Sequence, residues 1–436
     1  MNLRANLKKV KLPPVRGLWR NLAIFFAVLG PGMITANVDN DAGGIATYSI
    51  AGAHYGYAFV WTVIPIIVLL MIVQEMSARM GAVTGKGFSD LIRENFGVRV
   101  TFYIMLALLI TNIANTMAEF SGVAESLHIF GVSKYVSVPM AAFFVWLLVV
   151  KGNYRVVEKV FLIACLFYVA YPISGFLAKP DWTEVSSAMV HPKVWWGQDF
   201  FYLLVGLIGT TIAPWMQFYM QASIVEKGVD VANYRQSRWD VFAGCVMAGL
   251  VVFFIILACA ATLYPAGVHI ESAGDAAMAL APLAGKYASW LFAFGLFNAS
   301  LFAASVLPLS TAYYICEGLG FEAGMNKSFR EAPYFYGLYT AIIAIGAAVI
   351  LIPGFPLLRV MVFSQVLNGI LLPFVLILML VLINRKDVMG EFTNRLKGNV
   401  AAWIAVLVLL GLTTFMLMSS FKSWQGPVFS AVHRVE

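Results

Sequence analysis

Charge is scarce in this chain. Only 12% of its 436 residues are Asp, Glu, Lys or Arg while 61% are hydrophobic, against about a quarter charged in an ordinary soluble domain. A fully water-exposed surface cannot be assembled from that composition, so a soluble enzyme or binding module is excluded. Cysteine is rare too: Cys165, Cys245, Cys259 and Cys316 sit in or beside apolar segments, with neither metal-ligand spacing nor an extracellular pairing pattern, and read as small packing residues. The five histidines (His54, His128, His191, His269, His433) fall at segment ends or in loops, which leaves no mid-membrane imidazole for a proton relay or a soft-metal site. No His or Cys cluster and no Gly-x-Ser-x-Gly lies at membrane depth, so an intramembrane enzyme lacks its nucleophile. Long polar linkers are missing as well; the outer ones, Lys179 to Gln198 and Pro265 to Leu283, are too short for an extra domain.

Apolar runs take up most of the length. Ala58 to Ile72, Val160 to Leu177, Val241 to Leu263, Pro373 to Ile383 and Val400 to Leu417 approach or exceed the ~20 residues that cross a hydrocarbon core. Hydropathy and breaker residues predict eleven spans, near 21–54, 57–79, 101–127, 135–150, 156–178, 199–224, 237–264, 285–315, 333–353, 357–384 and 399–420. The chain is therefore read as an all-α polytopic membrane protein. The first twenty residues show no cleavable leader, so the first span is expected to serve as its own insertion signal.

The formal charge of +7 does not point to nucleic acid once its placement is followed. With the N-terminus in the cytoplasm, only Lys134, Lys179, Lys193, Lys286, Arg359, Lys422 and Arg434 remain outside, of 29 Lys and Arg in all, a bias of roughly threefold toward the inside. That topology implies a multi-pass plasma-membrane protein with a basic cytoplasmic segment 1–20, repeats over 21–178 and 199–384, a further span 399–420 and an outer tail 421–436. Ser272 to Leu283 fits a short interfacial helix or a plain loop equally well.

Two spans are interrupted. The first runs Gly30-Pro31-Gly32 to Asp39-Asn40-Asp41-Ala42-Gly43-Gly44, and the sixth runs Gly206-Leu207-Ile208-Gly209-Thr210-Thr211-Ile212-Ala213-Pro214-Trp215. Pro214 removes a helical hydrogen bond and frees the carbonyl near Thr210. Non-helical backbone at membrane depth is tolerated only where protein or a watery cavity surrounds it. Paired breaks at corresponding places in two halves are the sign of a carrier built from inverted repeats, with its site at the interruptions, and they argue against a simple channel. A carboxylate in one break facing carbonyls freed by the other offers hard oxygen ligands, and Asp41 is the first choice. Asp39, Asn40 and Asp41 are also common cap residues, but a buried carboxylate costs about 2.5–3.5 kcal/mol at membrane depth, which favours a functional role. Glu75, Glu119, Glu125, Gln365 and Asn368 are further buried candidates, Glu119 and Gln365 the deepest.

Asp41-Ala42-Gly43-Gly44-Ile45-Ala46-Thr47 with Ala53-His54-Tyr55-Gly56-Tyr57, Gly209 to Pro214, Ala118-Glu119-Phe120, and Ser364-Gln365-Val366 with Leu372-Pro373-Phe374 together resemble, in order, motifs of the natural-resistance-associated macrophage protein (Nramp) family of divalent-metal transporters. The resemblance covers all eleven spans. It implies a LeuT-type fold of two inverted five-helix repeats with broken helices 1 and 6, plus an eleventh helix, and an ion site at Asp41, Gly44, Thr210, Ala213 and Gln365.

The departures from the family pattern bear on the ion. Gly44 stands where the family has a ligating asparagine, Thr210 where it has an alanine, and Ala213 where it has a methionine whose thioether favours transition metals. Loss of the soft ligand together with added room suits Mg²⁺, which keeps several waters, and the pattern resembles the Nramp-related magnesium-transporter branch. Trp215 and Met220 occupy histidine positions, Thr116 replaces an aspartate, and Leu109 falls where an acidic residue is expected. Glu119 alone remains of that relay, with Asp39 and Asn40 expected nearer the aqueous vestibule. The expectation is uncoupled carriage of Mg²⁺, and of Mn²⁺, with no resident cofactor, no nucleic acid and no obligatory protein partner besides the bilayer. Its rival is a proton-coupled Mn²⁺ or Fe²⁺ symporter of the same family.

Overall fold

A computed structural model of the chain describes residues 30–152, 159–160, 163, 168, 170–271, 275–276 and 288–422. The basic segment 1–20, part of the expected fifth span, Cys165, most of Ser272 to Leu283 and the tail beyond 422 lie outside them. Among the described residues every regular element is helical.

The first span is two half-helices, α1 (Pro31–Val38) and α2 (Ala42–Tyr55). A 3₁₀ turn at Gly56–Phe59 leads to α3 (Val60–Thr84). Ala42–Thr84 is continuous in helical character over 43 residues, about 64 Å at 1.5 Å per residue, twice the ~30 Å hydrocarbon thickness. Gly56 resolves the excess: its φ of 56° reverses the chain cheaply because glycine has no Cβ to clash. Next come α4 (Phe88–His128), α5 (Lys134–Lys151), the described part of the fifth span, α6 (Ala170–Leu177), and a short α7 (Trp182–Val190) whose first N–H groups are capped by Asp181. The second half repeats the plan. Its sixth span is split into α8 (Gln198–Thr211) and α9 (Pro214–Glu226), followed by α10 (Tyr234–Thr262), α11 (Ala288–Leu319), α12 (Pro333–Ile350) and α13 (Leu357–Ile383). A one-turn α14 (Lys386–Met389) precedes α15 (Leu396–Lys422).

Nine helical stretches among the described residues are long and apolar enough to cross a bilayer. Dividing Ala42–Thr84 at Gly56 and adding α6 accounts for the eleven expected spans. One boundary differs. The third span, expected from 101, belongs to a helix that starts at Phe88 and kinks at Gly97, whose φ of 81° is non-helical.

The outward surface is apolar in rows three to four residues apart: Phe102, Leu106 and Ile110 on α4, Val136, Met140 and Phe143 on α5, Val400, Ile404 and Leu407 on α15 are all exposed. That is the surface of a protein solvated by lipid. Polar groups instead face inward, where α4 packs on α11 and α13. Asn112 and Asn115 of α4 link Thr311 of α11 (2.8 Å) to Asn368 of α13 (3.0 Å).

Candidate functional site

The two interruptions meet in the middle of the bundle. In the first, Asp41 has extended backbone and caps α2, its Oδ1 accepting the Gly44 N–H at 2.5 Å. In the second, Ile212 and Ala213 leave the helical region, and Pro214 opens α9 at N1, where its missing N–H costs least. The same proline brings no N–H to the Thr210 carbonyl. The breaks are stitched to each other: the Thr210 hydroxyl faces the Asp39 carbonyl at 3.5 Å, and Tyr48 Oη pairs with Thr211 Oγ1 at 2.9 Å.

Side chains from two further helices complete the cluster. Gln365 of α13 points its Nε2 at Asp41 Oδ2 across 3.5 Å, and Glu119 of α4 accepts the Ala42 N–H at 3.2 Å. Glycines make this approach possible. A Cβ at Gly43 would collide with the Gln365 amide, and one at Gly122 with Ala42.

Gly44 is the most telling position. A Cβ there would lie 2.6 Å from the Asp39 carbonyl oxygen, 2.9 Å from Thr210 Oγ1 and 3.2 Å from Asp41 Oδ1. Three hard oxygens from both breaks therefore converge on one point. The space expected to be left free by the missing side chain is thus bounded by oxygen, including a backbone carbonyl that cannot swing aside.

All of these groups are buried. Asp39 is 3% exposed and Asp41 4%, with Asn40, Thr210, Ala213 and Gln365 at 1%, so Asp39 and Asn40 are as enclosed as Asp41. None of the ion pairs found among the described residues involves Asp39, Asp41 or Glu119. Several polar atoms here also lack a protein partner: Asp39 Oδ2, both amide atoms of Asn40 and Glu119 Oε1. Each costs about 1–3 kcal/mol if left unsatisfied. A cluster of uncompensated carboxylates and orphaned oxygens is chemically suited to a cation and its waters. Among the described residues no three His, Cys, Asp or Glu side chains form a metal-binding group, so such a site draws on carbonyl, hydroxyl and amide oxygen.

Other candidates fall elsewhere. Thr116 bonds the Asn112 carbonyl at 2.7 Å and packs under Gly346 of α12, a helix-packing position. Trp215 is buried near Tyr219. Glu75 pairs with Arg79 and Tyr234 toward one end of the bundle, while Glu125 lines a cavity with His128 and Lys134. Sequence reasoning overlooked Asn112, Asn115 and Asp240. Asp240 was detectable, being a carboxylate inside an expected span.

Residues 32–419 match the family profile described as natural resistance-associated macrophage protein-like. The divalent metal cation transporter MntH of Deinococcus radiodurans is 27% identical over 403 residues, 89% of each chain. Its namesake from Bacillus subtilis is 27% identical over 406 residues, 90% of this chain and 92% of the relative. Among solved structures, the Eremococcus coleocola manganese transporter superposes with a TM-score of 0.78 at 21% identity, over 99% of this chain and 94% of that one. A nucleobase-cation-symport-1 family transporter matches at 0.55 and 15% identity, over 92% and 94%. These likenesses show the fold to be of the LeuT type, with the first and sixth helices broken.

Proposed function

The chain belongs to the natural resistance-associated macrophage protein-like family, and on that premise we propose that it carries divalent metal cations through the site between its broken helices, Mg²⁺ foremost and Mn²⁺ also, without a coupled proton. It is a multi-pass membrane transporter and not an enzyme, as its relatives are. The ions are its substrates, and the bilayer is its surroundings.

The observation that carries the choice of ion is the convergence of Asp39 O, Thr210 Oγ1 and Asp41 Oδ1 beside Gly44. Asp41 supplies charge, the Asp39 carbonyl and Thr210 hydroxyl supply neutral hard donors, and Gln365 and Asn40 supply amides for direct or water-mediated contact. A hard, oxygen-only set satisfies Mg²⁺, which holds on to its water, and offers nothing extra to a thiophilic ion. Ala213, at the N-cap of α9, contributes no sulfur.

The case against proton coupling rests on Thr116, Leu109, Trp215 and Met220, none of which has a side chain that titrates in the physiological range. Glu119 then shapes the potential of the site. Uptake runs down the ion's own gradient and the inside-negative potential, worth about 2.3 kcal/mol per charge per 100 mV. The bias of Lys and Arg supports a cytoplasmic N-terminus and an outer C-terminus in a plasma membrane. Proteoliposome uptake of Mg²⁺, Mn²⁺, Ca²⁺ and Cd²⁺ with lumenal pH recorded in parallel tests the reading. Efficient Mg²⁺ uptake at constant pH is the expected result, and Cd²⁺ uptake with stoichiometric acidification would favour the proton-coupled rival.

A further inference from the structure

Half-helix α1 is held at its N-terminus by a carboxylate two hundred residues away in sequence. Asp240, in the second turn of α10, accepts three backbone hydrogen bonds from it. Oδ2 takes the Gly32 N–H at 2.7 Å, and Oδ1 takes those of Gly30 and Met33 at 3.2 Å each. The first N–H groups of a helix have no partner within it, and α1 has no side-chain cap of its own. An anion placed there meets both these donors and the positive end of the helix dipole. Asp240 is completely buried, and every acceptor contact found for it goes to α1.

The surrounding contact is built for close approach. A Cβ on Gly32 would lie 2.6 Å from Val241 Cα, and one on Gly244 would lie 2.9 Å from Met33 Cα. Two facing glycines, Gly32 and Gly244, thus let the α1 and α10 backbones touch beside the carboxylate. Seven of the eight residues of α1 are buried, and the half-helix runs directly into Asp39 and Asp41. It spans from Asp240, near the end of the bundle that carries Tyr234 and Arg238, to the candidate ion site, and so walls the site on that side.

We propose that Asp240 is the latch of this wall: it is a positioning residue that holds α1 against α10 while the site is closed toward that end, and α1 must let go of it for an ion to leave there. The inference rests on the transport reading above, because a carrier has to open each side of its site in turn. Asp240 touches no ion. It acts through the position of α1, a short helix whose N-terminal donors are met by this one carboxylate.

The test uses thiol accessibility in the full-length protein reconstituted in liposomes. Ala36, fully buried in α1, and Ala303, fully buried in α11, are each replaced by cysteine as separate reporters, in wild type and in the Asp240→Ala and Asp240→Asn backgrounds. A membrane-impermeant maleimide is applied from the side that carries Arg79. Loss of the latch should speed labelling at position 36 by about tenfold, through a larger open population, and leave position 303 unchanged; Asp240→Asn, which keeps an acceptor oxygen but loses the charge, should fall between. Equal rates at position 36 in all three backgrounds would overturn the latch. So would parallel acceleration at 36 and 303, which reports general loosening. Divalent-ion uptake by the unsubstituted protein is measured alongside. Absent uptake with the expected labelling pattern sinks the transport reading and spares the latch, whereas normal uptake with unchanged labelling does the reverse.

Discussion

Gln365 turns its amide nitrogen toward Asp41, at 3.5 Å from Oδ2, while its carbonyl oxygen accepts a 3.0 Å hydrogen bond from Asn368. Asn368 is held in turn by Asn115, and Asn115 by Asn112. The side chain best placed to add an oxygen ligand is therefore held with its nitrogen toward Asp41, and a cation would have to compete with Asn368 for its oxygen.

A first prediction follows from that competition. Gln365→Leu should weaken the apparent affinity for Mn²⁺ and Mg²⁺ by about tenfold, the scale of one lost polar ligand. Asn368→Leu should strengthen it by about threefold, because one hydrogen bond that opposes amide rotation is gone. Concentration dependence of uptake reads both. If Asn368→Leu weakens affinity as much as Gln365→Leu does, the amide does not turn.

Asp41 is predicted to supply the charge of the site. Asp41→Ala should lower uptake by roughly a hundredfold, equivalent to about 3 kcal/mol for a charge-assisted ligand, in a protein that still inserts and purifies as one species. Asp39→Asn should cost less, since its carbonyl, not its carboxylate, faces Thr210 and the Gly44 amide turn. Uptake by Asp41→Ala close to that of wild type would remove it from the site.

Proton coupling is predicted to be absent. Lumenal pH should stay constant during Mg²⁺ or Mn²⁺ uptake, as followed with a trapped dye. Glu119→Gln keeps an oxygen for the Ala42 N–H and should slow uptake by a few fold, about the effect of one altered buried hydrogen bond, without changing how uptake varies with pH. A metal-dependent proton influx in wild type would refute the uncoupled reading.

Selectivity is predicted to respond to Ala213 and Gly44 in different ways. Ala213→Met adds a thioether beside the second break and should let Cd²⁺ compete with Mn²⁺ uptake, while Mg²⁺ competes less well. Adding Gly44→Asn should not sharpen that reversal, because its Cβ would be driven against the Asp39 carbonyl; the double variant should lose uptake of every ion. Unchanged competition by Cd²⁺ and Mg²⁺ in Ala213→Met would mean that selectivity is set elsewhere, at Thr210 or Gln365.

Much of this protein is determined by local chemistry and so is legible in the sequence. Spans follow from runs of apolar side chains whose partner is lipid, and interruptions follow from Pro214 and from Asp39-Asn40-Asp41, which cannot sit in a lipid-facing helix. Asp41 and Gln365 stood out because a polar group at membrane depth needs a reason. Tertiary structure alone decided what those reasons are. The role of Gly44 depends on where the Asp39 carbonyl and Thr210 hydroxyl end up, and Thr116 became a packing residue only because Gly346 lies against it. Asp240 is one carboxylate among apolar residues of the seventh span, and only folding places it on the N–H groups of α1. Periodicity and hydropathy report how each segment meets its solvent, whereas the partners of a buried polar atom come from segments hundreds of residues away, and only the packed chain brings them together.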